Sequence, residues 1–270
     1  MAVPLDKKFI IVNNLKVEQK KRRLIFYISW MAFILLGGMG VAYAYGYKFD
    51  FLNFRFIKTA AIQIRANISG NVLLNDKLVG RTSFLSKVFS VDRLLPGNYS
   101  LKFQKENYGL WEKVVNLKAG FVIDYEHVVV IPEQIEPQWL ASPSVELIGL
   151  VDAKKVDNPI SPDKNKSFVY TDHEIWVKWL NDSGNQPLKK AGDIDLITRF
   201  SNKLKYIEWY YDSNHLIANV GGTIILLEID TRGGVNMFNI YAAEDGYYYN
   251  IKENLIYLRK GGKYQMLTLE

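Results

Sequence analysis

The chain contains no cysteine, and only three of its 270 residues are histidines. Without cysteine it has no disulfide bonds and no thiolate that attacks a substrate or binds a metal. No two of the histidines, His127, His173 and His215, lie at a metal-binding spacing. A phosphate-binding glycine loop, a nucleophile elbow and a zinc-protease motif are missing as well. The sequence therefore predicts a protein that is not an enzyme and holds no metal or cofactor.

Charge is also missing from one long segment near the N-terminus. Residues 24–47, between Arg23 and Lys48, include no charged side chain over 24 positions. As a helix this segment would be about 36 Å long, enough to cross a hydrocarbon core of about 30 Å. We therefore expect a single transmembrane helix over residues 24–47 that acts as a signal anchor.

The residues that flank this segment indicate its orientation. Residues 1–23 carry seven basic side chains against two acidic ones, and Lys20, Lys21, Arg22 and Arg23 lie directly before the span. Short basic flanks stay on the cytoplasmic side of a membrane. Aromatic side chains suited to the two membrane interfaces are Trp30, Tyr43 and Tyr45. We expect a cytoplasmic tail over residues 1–23 and extracytoplasmic domains after the span.

The span has two other interpretations. Ala42-Tyr43-Ala44 resembles a signal-peptide cleavage site, but the apolar segment is longer than the roughly 7–15 residues of such peptides. Gly40 and Ala44 have the spacing that lets two membrane helices pack closely. Small residues that occur there by chance are the simpler explanation. An uncleaved anchor is the favoured interpretation.

The basic character of the chain is concentrated beside the predicted span. The whole chain has a net charge of +6, and residues 1–47 account for +5 of it. The remaining 223 residues are almost neutral, with 27 basic and 26 acidic side chains. A nucleic-acid-binding protein would carry its positive charge on the folded domain. The sequence therefore does not predict nucleic-acid binding.

Residues 59–132 show the pattern of short strands separated by turns. Residues 60–66 alternate apolar and polar side chains, and polar turns follow at Asn75-Asp76 and at Leu95-Pro96-Gly97-Asn98. The stretch accommodates seven short strands. Such a density of strands and turns predicts a small antiparallel β-sandwich.

The same stretch resembles a known family. The string VLLNDKLVGRTS, followed by LLPGNYSLKFQKENYGLWEKVVNLKAG, is similar to PEGA domains, small β-sandwich modules of bacterial and archaeal surface proteins. The positions that carry the resemblance most clearly are Gly80, Pro96, Gly97, Tyr99, Tyr108, Trp111 and Gly120. The resemblance implies a binding or spacer module in a prokaryotic cell envelope, and it brings no catalytic residues with it.

A linker and a repeat region follow the predicted sandwich. Residues 133–139, with Pro137, read as an extended linker. Residues 140–270 then contain three weak repeats, each a polar turn, a strand, a short turn and a second strand. Equivalent positions are Phe168, Leu216 and Leu255, which are 48 and 39 residues apart. This spacing resembles the blades of WD40-like or TolB-like β-propellers.

Three blades are fewer than the roughly 4–8 that close a propeller. An open fragment would leave sheet edges and apolar faces uncovered. We therefore expect that the blades pack against the sandwich or that copies of the chain associate. A different β-architecture is the third alternative. The overall fold class expected is mainly β, with one transmembrane helix, a PEGA-like sandwich and an incomplete propeller-like domain.

Two patterns in the repeat region invite a functional interpretation. Trp209-Tyr210-Tyr211 and Tyr247-Tyr248-Tyr249 recur in successive repeats, either as strand packing or as a surface for a partner. Asp163, Asn165, Ser167 and Glu174 imitate a calcium-binding loop, but Phe168 replaces its central glycine. A polar blade turn is the favoured interpretation of that second pattern.

Together these observations predict a non-enzymatic, single-pass protein of a prokaryotic cell envelope. Its extracytoplasmic β domains would bind or scaffold a partner at the cell surface. A cell-wall polysaccharide, a surface-layer protein or another membrane protein is the expected partner. The alternative is a sensor or accessory subunit of a membrane complex, which passes an exterior binding event to the cytoplasmic tail.

Overall fold

Residues 7–51, 54–152, 158–243 and 246–269 are described by the computed structural model, with side chains from residue 19 onward. The first six residues of the predicted tail lie outside this description. The chain divides into two units, Met1–Thr59 and Ala60–Glu270. As predicted, it is mainly β with one apolar N-terminal helix.

The first unit is dominated by helix α1, Lys7–Ala44. Its segment Gln19–Ala44 is long and apolar enough to cross a membrane, with a mean hydropathy of 2.0 and no buried residue. The helix ends three residues before the end of the predicted span. Gly46 stops it there: it adopts a left-handed φ of +78°, the usual conformation just after a helix. The described part of the predicted tail and the apolar segment thus form one continuous helix.

A short β-hairpin follows the helix. Strands β1 (Tyr47–Asp50) and β2 (Arg55–Lys58) pair antiparallel, with Phe49 opposite Phe56. The backbone N–H and the hydroxyl of Thr59 both donate to the carbonyl of Gly46, at 2.8 and 2.7 Å. These bonds close the hairpin at its base, so the chain leaves the first unit beside the residue that ends the helix.

The second unit begins with seven strands in residues 60–128, the number predicted for this stretch. They form two sheets with the strand orders β6-β3-β9 and β5-β4-β7-β8. The strands are β3 (Ala60–Ala66), β4 (Asn71–Leu74), β5 (Lys77–Arg81), β6 (Val88–Leu94), β7 (Gly97–Gln104), β8 (Trp111–Leu117) and β9 (Val122–Val128). We call these seven strands the sandwich. Buried side chains of both sheets, among them Ile62 and Phe103, belong to one core.

The expectation of a purely antiparallel sandwich is wrong at one pair of strands. Strand β3 pairs with β9 in parallel, with Ile62 opposite Ile123. The two strands open and close the sandwich, so they are far apart in sequence. Local alternation of apolar residues reports which face of a strand is buried but not the direction of its neighbour.

Three further sheets occupy the repeat region, and each is a meander of consecutive strands. The first contains β11 (Lys166–Tyr170), β12 (Glu174–Trp179) and β13 (Ile194–Arg199). The second contains β14 (Leu204–Trp209), β15 (His215–Val220), β16 (Thr223–Glu228) and β17 (Met237–Ala242). The third contains β18 (Tyr247–Asn250), β19 (Leu255–Lys260) and β20 (Lys263–Thr268). The three predicted repeats correspond to the hairpins β11–β12, β15–β16 and β19–β20.

The third sheet is completed by a strand from earlier in the chain. Strand β10 (Gln138–Trp139), the end of the predicted linker, pairs with β20 through Gln138 and Met266. In the third sheet β10 is the fourth strand, the position that β17 occupies in the second sheet. The first sheet has only three strands in the described part of the chain. A single bridge between Ile160 and Ser167 lies at the position that β14 occupies in the second sheet. Each repeat is therefore a variation on a four-position sheet. Among the described residues, however, the three sheets do not close into a propeller.

The region also contains a helix that the sequence pattern did not predict. Helix α2 (Val145–Asp152) lies between β10 and β11. The hydroxyl of Ser144 accepts a hydrogen bond from the N–H of Leu147 at 3.1 Å, the geometry of a helix N-cap. The repeat region therefore combines its β-sheets with one short helix.

The second and third repeat sheets share a core with the sandwich within the second unit. One continuous core includes Phe103 of β7, Tyr125 of β9, Phe238 of β17 and Leu258 of β19. Gly233, in the turn between β16 and β17, accepts a hydrogen bond from the N–H of Val114 on β8 at 2.9 Å. The apolar faces that three blades alone would leave uncovered are thus partly buried by the sandwich of the same chain.

Candidate functional site

A cleft of about 220 Å³, which we call the polar cleft, lies between the sandwich and the first two repeat sheets. Its walls come from the end of β9, the turn before β11, the end of β12 and the turn before β15. They contribute Glu126, His127, Asp163, Lys166, Trp179 and Asn214, and the loop of residues 181–187 completes the lining. Carboxylate, amide, ammonium and imidazole groups thus surround the space.

The loop between β12 and β13 forms one wall because it is bonded to the sandwich. Gln186 donates to the carbonyl of Val122 at 2.8 Å, and its own side-chain oxygen accepts from the N–H of Asp124 at 3.1 Å. Arg232 donates to the same oxygen at 2.7 Å and to the carbonyl of Asp124 at 2.8 Å. This arrangement fixes the loop across the junction of the sandwich and the first repeat sheet.

Two equivalent turns form the opposite wall. The sequence Asp163-Lys-Asn-Lys166 recurs 49 residues later as Asp212-Ser-Asn-His215. In each turn the aspartate accepts a hydrogen bond from the backbone N–H two residues on, at 3.0 and 2.8 Å. In each, the basic side chain three residues on folds back to that aspartate, at 3.1 Å for Lys166 and 2.7 Å for His215. The repeat therefore builds the same ionic turn twice.

The first turn places a buried ammonium group beside an aromatic ring. Lys166 Nζ lies 5.0 Å from the centroid of the Trp179 ring and 3.5 Å from the side-chain oxygen of Asn214. Burial would raise the pKa of Asp163, but hydrogen bonds from Ser161 and Asn165 and the charge of Lys166 hold that pKa below its ordinary value. The cleft thus has a fixed anion and a fixed cation on one wall.

The second turn belongs to a set of four ionisable side chains buried behind the cleft. Lys113 of β8 lies 2.8 Å from Glu228 of β16, and His215 stands directly opposite Glu228 across the β15–β16 pair. Burial would lower the pKa of His215, but the Asp212 carboxylate outweighs it and raises that pKa. The converse effect lowers the pKa of Asp212. Two carboxyl groups, an amine and an imidazole are thus brought together behind the cleft.

The groups that line the polar cleft are mainly hydrogen-bonding groups. Among the described residues, no cluster of three or more histidine, aspartate or glutamate side chains is placed to hold a metal ion. Asp163 and Lys166 are already paired with each other, and the exposed groups at the mouth are largely amides such as Asn165, Asn181 and Asn185. Amide and carboxylate groups of this kind form hydrogen bonds with a hydrated, polar ligand.

The structure separates the residues that imitate a calcium loop. Asp163 binds Lys166, whereas Glu174 begins β12 and pairs with Arg199 at 2.6 Å. Ser167 lies within β11. Of the three histidines, His127 lies at the cleft and His215 behind it. His173 lies in the exposed turn between β11 and β12, where its ring contacts the carbonyl of Phe200.

Four of the six rings in the aromatic runs pack in the core, so a partner surface is left as a prediction only for the other two. Trp209, Tyr210, Tyr247 and Tyr249 are buried. Tyr210 stacks on Tyr249 with 5.8 Å between ring centroids, and the hydroxyl of Tyr247 donates to the carbonyl of Ile217. Tyr211 is exposed and Tyr248 half-buried. The runs are mainly core because β14 and β18 face the neighbouring sheets.

A wide, mainly apolar groove lies beside these rings. It measures about 760 Å³, and its lining includes Ile160, Pro162, Leu180, Trp209, Tyr248 and Ile251. The groove lies where the first strands of the second and third sheets meet the segment that precedes β11. It is larger than the polar cleft, but the converging polar groups belong to the cleft.

The positions that carry the PEGA resemblance are structural. Trp111 is fully buried, Tyr99 donates to the carbonyl of Leu95, and Tyr108 is half-buried. A Cβ on Gly80 would lie 2.2 Å from the ring of Phe89, which explains the glycine by close packing. Gly97 begins β7 directly after Pro96, and Gly120 has a left-handed φ of +77° in the turn before β9.

The predicted membrane-flanking residues are all exposed. Lys20, Lys21, Arg22, Arg23, Trp30 and Tyr43 lie on α1, and Tyr45 follows its last residue.

Sequence reasoning missed the buried ion pair and most of the cleft. A signal for Lys113 was present, since it alternates in phase with Trp111, Val115 and Leu117, all buried. The repeated Asp-x-Asn-base turn was a second signal. Glu126, Trp179 and Asn214 come from separate segments, and no local pattern brings them together.

Comparison with known proteins leaves the family open. No family model matches this chain, and no curated protein matches it.

Proposed function

We propose that this chain is a non-enzymatic, single-pass protein of a prokaryotic cell envelope that binds a polar partner at the cell surface through its polar cleft. The observation that carries the proposal is the combination of two features in one chain. A helical segment of 26 residues that is long and apolar enough to cross a membrane, with none of them buried, precedes a β unit with its own core. The resemblance of the sandwich to PEGA modules supports a cell-envelope location.

The exposure of the helix supports membrane anchoring. A core helix of a soluble protein would be mostly buried, but Phe33 and Leu36 are 76% and 68% exposed. Such a run of apolar side chains in water is unfavourable, whereas it matches the hydrocarbon of a bilayer. The basic residues that precede it favour a cytoplasmic N-terminus and an exterior β unit.

The lining of the polar cleft supports the nature of the partner. The groups that face it are amides, carboxylates and an ammonium, with Trp179 as one wall. Polar groups that converge in a concave site fix the orientation of a ligand and supply its specificity. A cell-wall polysaccharide, which offers many hydroxyl groups, suits this lining better than an apolar peptide would. A surface-layer or membrane protein with a polar face is the next candidate.

Binding of the full-length chain in lipid nanodiscs to purified cell-wall material tests the proposal. The variant combines Glu126→Gln with Asn181→Ala at the cleft. The matched control combines Glu106→Gln with Asn116→Ala, exposed positions on the sandwich outside the cleft lining. We expect the cleft variant to bind more weakly while the control binds like the wild type. Equal binding by both variants would show that the cleft is not the site.

The sensor alternative is supported by the continuity of helix α1. It extends from Lys7, in the basic tail, to Ala44 without interruption. A continuous helix transmits a displacement at one end to the other, as a signalling subunit requires. Deletion of residues 2–15, with Lys20 to Arg23 kept, separates the two functions. Loss of the cellular phenotype supports signalling to a cytoplasmic partner, and retention supports the binding function alone.

A further inference from the structure

The hairpin that follows the helix presents an aromatic face that no described part of its own unit covers. Phe49 lies opposite Phe56 on the paired strands, and alternation places Tyr47 and its partner Lys58, at the base of the hairpin, on the same face. The ring of Phe49 contacts those of Phe51, Phe54 and Phe56, with centroids 5.0, 6.2 and 5.1 Å apart. We call these four phenylalanines the aromatic face.

The aromatic face is open to its surroundings. Phe51, Phe54 and Phe56 are 77%, 81% and 50% exposed. Exposed phenylalanines in contact with one another form an apolar patch, and such patches mark interaction surfaces. The other face of the hairpin carries Lys48, Asp50 and Arg55 with Ile57, so the hairpin is amphipathic. One side suits an apolar environment and the other suits water.

We propose that the aromatic face lies in the interfacial layer of the bilayer, among the lipid headgroups and the first carbons of the acyl chains. The inference rests on the proposed function, because it requires that α1 spans a membrane. The hydrogen bonds from Thr59 to Gly46 hold the base of the hairpin at the end of α1. The hairpin therefore begins where the span ends, at the level where aromatic side chains concentrate.

The backbone of the hairpin limits how deep it lies. A two-stranded hairpin leaves the outer N–H and carbonyl groups of both strands without a strand partner. Such groups are not tolerated in hydrocarbon, but the headgroup layer contains water and phosphate that satisfy them. A hairpin of two short strands is also only marginally stable in water. The interface solves both problems, since it covers the aromatic rings and solvates the backbone edges.

The absence of cysteine from the chain makes the test direct. Single cysteines at Phe56, Arg55 and Ile34 in the full-length protein are labelled with a nitroxide in lipid vesicles. Collision rates with oxygen, which enters lipid, and with a water-soluble nickel chelate are then measured by paramagnetic resonance. Phe56→Cys and Arg55→Cys are a matched pair on one strand with opposite faces. Ile34→Cys, exposed in the middle of the apolar segment, reports on the span itself.

We expect the ratio of oxygen to nickel collisions to be several-fold higher at position 56 than at position 55, and highest at position 34. If positions 55 and 56 are equally open to nickel while position 34 is shielded, the hairpin lies in water and the inference is overturned. An immobile label at position 56, shielded from both reagents, would show that protein covers the face and would also overturn it. If position 34 is open to nickel, the membrane span of the proposed function fails.

Discussion

Lys113 Nζ lies 2.8 Å from Glu228 Oε2, and the two side chains are 0% and 4% exposed. Lys113 also donates to the carbonyls of Asp230 and Gly234, while Glu228 accepts from Asn236 at 2.8 Å. The pair joins β8 of the sandwich to β16 of the second repeat sheet. A buried ion pair with its remaining groups satisfied tolerates only one register of the two surfaces. It therefore fixes how the second repeat sheet docks on the sandwich.

Removal of one partner of this pair is expected to be costly. Lys113→Met leaves the Glu228 carboxylate buried without its ammonium partner, which typically costs about 3–5 kcal/mol of stability. The double variant Lys113→Met with Glu228→Leu removes both charges and should recover much of the loss. Lys118→Met, an exposed lysine just after β8, is the control. Thermal unfolding of the three variants checks this, and a double variant no more stable than Lys113→Met would contradict it.

The Asp212–His215 pair predicts how stability depends on pH. The pKa of His215 is raised in the folded protein, so its protonated form stabilises the fold below the ordinary histidine pKa of about 6.5. That contribution is lost as the pH rises through the folded pKa. The lowered pKa of Asp212 has the opposite sense, and its contribution is lost as the pH falls below about 4.

The melting temperature of wild type and His215→Gln, measured from pH 5 to pH 9, tests this dependence. The difference between the two proteins should be largest at the acidic end of the range and shrink as the pH rises. Glu228, Lys113 and His127 also lie near this group and are unchanged in the variant. A difference that is constant over the range would contradict the assignment.

A Cβ added at Gly233 and one added at Gly262 separate the cost of backbone strain from the cost of a steric clash. Both glycines have a left-handed φ, +70° and +75°. A Cβ on Gly233 would lie 2.4 Å from the carbonyl oxygen of Val114, whereas a Cβ on Gly262 would meet nothing within 4 Å. Gly262→Ala should cost only the conformational strain, about 1–2 kcal/mol. Gly233→Ala should cost clearly more, because it also pushes the turn away from β8. Equal melting temperatures would contradict the close approach of this turn to β8.

The aromatic runs predict a split between their buried and exposed rings. Tyr249→Ala removes a ring stacked on Tyr210 and should destabilise the unit by about 3–5 kcal/mol. Tyr211→Ala, at an exposed position, should change stability far less. Chemical denaturation of both variants measures the difference. If Tyr211→Ala were as destabilising as Tyr249→Ala, the burial pattern of the two strands would be wrong.

Much of the secondary structure followed from the sequence, because the signals involved are local. The seven strands of the sandwich and the hairpin turn at Gly221-Gly222 are each encoded within a few residues, by alternation and by turn residues with positive φ. Pairings between distant segments were not predicted. Strand β10 has two residues and pairs with residues 265–266, and β3 pairs in parallel with β9. Nothing in the alternation of a strand identifies a partner far along the chain.

The candidate site was the least predictable part of the molecule. The polar cleft forms where the end of β9 lies beside the turns that precede β11 and β15. These segments come together only when the repeat sheets pack against the sandwich. The buried Lys113 was readable from its phase in β8, yet its partner Glu228 lies 115 residues later. The aromatic runs are conspicuous in the sequence, but sequence alone does not give the face that each ring takes.

The central claim is that helix α1 anchors an exterior β unit in the membrane. The most direct test is to measure on which side of the membrane each end of the chain lies. Because the chain lacks cysteine, one cysteine at Ser86, in an exposed loop of the sandwich, and one at Ala2 can each be labelled alone. A membrane-impermeant maleimide is applied to spheroplasts before and after lysis. We expect Ser86→Cys to react in intact spheroplasts and Ala2→Cys to react only after lysis. Reaction of Ala2→Cys but not Ser86→Cys in intact spheroplasts would contradict the claim.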